Sequence, residues 1–188
     1  MAPNVELASA EEIMRQLIHK ASQLFYGGGK PTVFGMNLEP HIMVEAGPGV
    51  NGNLSPTASG MGVMATQGFI NLPNRIARDF AIGHELGHGF GEKILPEIGM
   101  QGVAGKPTEV VADLTSSYLL NQLGISWDRI LAALRSAQGQ IFDAAQNGDH
   151  PPGNLRIAYI GTMVQLITEN QTFQDSAKAI LMSLKEGG

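Results

Sequence analysis

His84-Glu85-Leu86-Gly87-His88, preceded by Arg75-Ile-Ala-Arg-Asp-Phe80-Ala-Ile82-Gly, is the stretch from which the rest of the chain is read. After Pro73-Asn74, the apolar positions Ile76, Phe80, Ile82 and Leu86 predict a helix that reaches the glycines at 87, 89 and 91. Four residues on a helix turn through about 400°, so both imidazoles leave one face about one turn apart. That spacing lets two neutral ring nitrogens share one zinc ion at about 2.0–2.1 Å each. Glu85 projects about 100° away, beside the metal, where it can take a proton from a zinc-activated water. Chance is a poor explanation. With 5 histidines and 11 glutamates in 188 residues, random placement yields roughly 0.01 such patterns per chain.

A third ligand has to come from elsewhere. Gly91 suits the metzincin pattern, but that pattern needs histidine where Ile94 stands, so it fails. Twenty-one residues past His88 comes Glu109, in Glu109-Val-Val-Ala-Asp113 at the start of the next predicted helix. Glu109 and Asp113 share a face at i, i+4. A carboxylate from Glu109 completes a His, His, Glu set and leaves a fourth position to water. Asp113, between Ala112 and Leu114, can accept the spare N–H of a ligand histidine and set its tautomer.

The remainder divides into a helical start, a glycine-rich β-like third and a helical second half, an α+β pattern. Ser9-Ala-Glu-Glu12 reads as a capping box, followed by Ile13, Leu17, Ile18, Ala21, Leu24 and Phe25 at helical spacing up to Gly27-Gly28-Gly29. β-prone pieces follow at Thr32–Phe34, His41–Val44, Met61–Ala65 and Gly68–Leu72, with a turn expected between Met64 and Phe69. Further helices are predicted after Pro107, after Ser126, after Pro151-Pro152-Gly153 and after Thr172.

Net charge is −5 and there is no cysteine, which excludes disulfides and thiolate metal sites and argues against nucleic acid as a partner. No apolar run approaches the roughly 18 residues of a membrane span, and Met1-Ala-Pro-Asn-Val-Glu6 does not read as a signal peptide. The expected location is cytoplasmic, or secreted without a classical signal peptide.

Taken together, the motifs resemble a family. HExxH followed by Glu-x-x-Ala-Asp is similar to the gluzincin signature. The order of features resembles the catalytic core of the CAAX-prenyl endopeptidase and bacterial heat-shock metalloprotease family, without its transmembrane helices. Met64-Ala-Thr-Gln-Gly-Phe-Ile70, then His84–His88, Glu109–Asp113, Asp149-His150-Pro-Pro152 and Leu155-Arg156-Ile-Ala158 carry that resemblance, over about residues 57–165. It implies one metallopeptidase domain over residues 1–188, with a small mixed sheet packed on the active-site helix, and a peptide or protein as substrate. It implies zinc on His84, His88 and Glu109, Glu85 as general base, and His150 (or Tyr159) at the oxyanion. Arg156 is placed to pair with Asp113 or to brace the His150 loop. Gly62, Val63, Met64 and Ala65 are expected to form an edge strand that pairs with substrate main chain. Residues 1–55 match nothing in the family pattern. A zinc-binding regulatory or recognition module, or the catalytic domain of a secreted effector, is the alternative reading.

Overall fold

The computed structural model describes residues 4–142 and 150–186. Among these, seven helices and four strands run in the order α1 (Val5–Phe25), β1 (Thr32–Val33), β2 (Met36–Glu45), β3 (Gly52–Pro56), β4 (Met61–Thr66), α2 (Gln67–Ile70), α3 (Arg75–Glu97), α4 (Lys106–Gln122), α5 (Trp127–Ile141), α6 (Gly153–Thr168) and α7 (Phe173–Glu186). The architecture is α+β: one small mixed sheet and a helical second half. No helix among the described residues is long and apolar enough to cross a membrane.

The first helix belongs to the common core. Ala10, Met14, Leu17, Ala21 and Phe25 recur at helical spacing, and all are buried in one cluster with residues of the sheet and the later helices. A polar clasp fixes its start: Arg78 of α3, almost fully buried, donates to Glu6 at 3.0 Å and to Ser9 at 3.1 Å. The helix begins earlier than Ser9-Ala-Glu-Glu12 suggests, because Asn4 accepts the Leu7 N–H and caps it.

Strand order in the sheet is β1-β2-β4-β3. β2 and β4 are parallel, with Ile42 opposite Val63 and Val44 opposite Ala65, whereas β3 runs antiparallel to β4. This corrects the expectation for Gly62, Val63, Met64 and Ala65. They lie in an interior strand whose two sides are paired with β2 and β3, so their main chain has no edge to offer a substrate. The edge beside β4 is β3, a Gly-Asn-Leu-Ser-Pro segment with weak strand propensity, formed because β4 templates it; β1 is the other edge. The Gly68–Leu72 expectation is corrected too: Thr66 ends β4 and caps the short helix α2.

α3 runs through its glycines to Glu97, past the point where composition would end it. The reason lies across the interface with α4. Gly83, Gly87 and Gly91 form one stripe at i, i+4, i+8, and the α4 backbone presses against it. A Cβ on Gly87 would lie 2.7 Å from both the Ala112 Cα and its carbonyl oxygen, and one on Gly83 would run into Ser116. Close packing of the two helices outweighs the helix penalty of about 1 kcal/mol per glycine. Ser116 then adds a hydrogen bond of 2.7 Å to the Phe80 carbonyl. Gly87→Ala is therefore expected to cost about 1–3 kcal/mol in urea unfolding, and to weaken metal retention because α4 carries Glu109. Unchanged stability and metal content would show that α4 can move away freely.

Candidate metal centre

α3 and α4, held together by that glycine stripe, bring three side chains that could hold a metal ion to one point. His84 and His88 lie one turn apart on α3, and Glu109 stands in the first turn of α4. The Nε2 atoms of the two histidines are 3.1 Å apart; each is 3.4 Å from an oxygen of Glu109. A tetrahedral site with bonds of 2.0–2.1 Å has ligand–ligand edges of about 3.3 Å. The two histidine nitrogens are close to that edge length, each faces a different oxygen of Glu109, and one donor atom from each of the three residues lies within 4.8 Å of the others, a group that could hold a metal ion. Cysteine is absent, so nitrogen and oxygen are the donors on offer, a set suited to zinc.

The surrounding side chains prepare those donors. His84 Nδ1 lies 2.8 Å from Asp113 Oδ1. An N–H held there by the carboxylate leaves the Nε2 lone pair facing His88 and Glu109. Asp113 is in turn gripped by Arg156, with Nε to Oδ2 at 2.6 Å and Nη2 to Oδ1 at 2.7 Å. Arg156 is itself buried, its guanidinium 4.4 Å above the Phe142 ring. His150 Nδ1 lies 2.6 Å from Glu109 Oε2, the same oxygen that faces His84 Nε2, and so holds that carboxylate.

Charge in the cluster is unbalanced. Burial tends to neutralise Asp113, but the Arg156 and His84 charges overcome it and hold the carboxyl down at about 2. Glu109 is likewise brought to about 2: burial opposes, and the hydrogen bond and charge of His84 win. Burial pushes His84 down, yet Asp113 and Glu109 lift it to about 9; His88, half-buried and beside His84, falls to about 4 through desolvation and the His84 charge. Burial and the Glu109 charge raise Glu85. With its carboxylates ionised the cluster has three negative groups (Glu85, Glu109, Asp113) against the Arg156 guanidinium and a His84 ring that holds its proton, a net negative site in which a divalent cation can take the place of that proton.

Compared with known proteins, the chain matches no family model, no curated protein and no solved structure. The reading of the centre therefore rests on its geometry.

A cleft of about 330 Å³ opens over the cluster, lined by His84, Glu85, His88 and His150 on one side and by Gly52, Asn53 and Leu54 of β3 on the other. Glu85 is half-buried in its wall, so close to β3 that a Cβ on Gly52 would lie 3.3 Å from the Glu85 Cγ. Tyr159 lines neither this cleft nor its neighbour around Phe142 and packs against the core instead. Asp149, quoted with His150 in the motif, lies outside the described residues. Three participants were not visible beforehand. The glycine stripe left a trace in the spacing 83, 87, 91. β3 and Phe142 left none, since nothing local distinguishes them.

Proposed function

We propose that the chain is a zinc-dependent endopeptidase, with His84, His88 and Glu109 as metal ligands. The supporting observation is the convergence of two imidazole nitrogens, 3.1 Å apart, on the Glu109 carboxylate, with Asp113 at His84 Nδ1 so that Nε2 is the atom free to bind a metal. Four protein ligands would suit a structural ion; three, facing an open cleft, suit catalysis. Zinc held there supplies Lewis acidity, polarising a carbonyl and acidifying water. The protein's own groups do the rest. The free edge of β3 offers main-chain N–H and C=O groups to an extended peptide laid along the cleft. The Glu85 carboxylate takes the proton of the attacking water and returns it to the departing amine. Its burial makes it a stronger base than an exposed glutamate. Arg156 and Asp113 keep the His84 ring oriented throughout, and His150 does the same for Glu109. His150 also lines the cleft, where a donor can meet the developing oxyanion.

The deciding measurement is zinc content by elemental mass spectrometry. The parent should carry about one zinc per chain, Glu109→Ala clearly less, and His84→Ala essentially none. A parent that takes up no zinc when supplied with it would end this reading. Equal zinc in the parent and Glu109→Ala would remove Glu109 from the ligand set.

A further inference from the structure

Past His88 the cleft leads to a second cavity of about 620 Å³. That size is ample for a large side chain. Its walls are Leu95 of α3, Val111 of α4 and Val103 of the loop between them. Phe34 and His88 border both cavities, so the second one adjoins the candidate metal centre directly.

Phe34 is out of keeping with its position. β1 and β2 pair Val33 with Met36 across a two-residue turn, Phe34-Gly35, with φ of 50° and 75°. Positive φ at both central residues marks a type I′ turn, in which Asn, Asp and Gly are at ease and a bulky side chain is not. No burial compensates. The ring is 75% exposed, more than any other large hydrophobic side chain among the described residues. The turn is nevertheless anchored, for the Phe34 N–H donates to Glu92 Oε2 at 3.1 Å, and Glu92 also borders the second cavity. An unfavourable backbone that displays an aromatic ring over an apolar cavity serves a contact made with something else.

The geometry points to Phe34 as a specificity residue that closes over a bulky apolar side chain of the substrate, seated in the cavity beyond His88 beside the bond to be cut. This rests on the metallopeptidase reading. The occupant is apolar because Phe34, Leu95, Val103 and Val111 present no charge to match, and the Glu92 carboxylate is engaged by the turn.

The test uses the zinc-loaded full chain and two dipeptide hydroxamates with the same chelating group, differing only in a benzyl or a methyl side chain. Isothermal titration is expected to show the parent binding the benzyl compound at least roughly tenfold more tightly. Phe34→Asn, which suits the turn better, should keep or raise the melting temperature while cutting that preference to about threefold or less. The methyl compound should bind both proteins alike. No preference in the parent, or an undiminished one in Phe34→Asn, overturns the inference and leaves the metal centre standing. A lower melting temperature in Phe34→Asn would make the residue structural and also overturns it. If neither compound binds the parent, the metallopeptidase reading fails and this inference falls with it.

Discussion

Glu85→Gln is expected to retain zinc at the parental level and to lose peptide hydrolysis by roughly 10²–10⁴-fold, the usual worth of a positioned general base. Glutamine fills the same space in the cleft wall against Gly52 of β3, so the two helices and the three ligands stay in place. What disappears is the group that can hold a proton between attack and departure. Zinc analysis and cleavage of a peptide library, run on the same preparation, separate the two properties. His84→Ala should lose both together, since it removes one of the three proposed ligands. A Glu85→Gln protein that cuts peptides at the parental rate would dismiss Glu85 as the base.

Arg156→Met should be the most destabilising of the site variants, by about 3–5 kcal/mol in urea unfolding, because it strands the Asp113 carboxylate in the interior. Methionine keeps the packing over Phe142 and removes both hydrogen bonds. The pair itself need not be a large net gain, since burying two charges is costly. The double variant Asp113→Leu/Arg156→Met is thus expected to recover most of the lost stability. Zinc affinity should not recover with it, as His84 then has no carboxylate at Nδ1. Additive losses in the double variant would show that the two residues act independently.

Much of the centre was legible in the chain because helical spacing is local geometry. His84 and His88 must share a face wherever a helix forms, and Glu109 and Asp113 must do so on theirs. The closing of α4 by Gly124 and the start of α5 after Ser126 were equally local matters, although the Ser126 side chain makes no capping hydrogen bond. Elsewhere local signals misled. The glycines of α3 look like a helix end, and they are instead the floor on which α4 lies. Met61–Ala65 has the better strand composition, and that is why it sits in the sheet's interior and leaves the edge to Gly52–Pro56.

By itself, then, the sequence determined the side-chain types of the cluster, their pairing on two helices, and the glutamate between two histidines. Only the tertiary structure decided that the two helices meet, at what separation, and which strand borders the cleft. Backbone hydrogen bonds between neighbours in the chain set the first group. The second depends on contacts between residues far apart, such as Gly87 on Ala112 and Ser116 on the Phe80 carbonyl, whose partners no local pattern specifies.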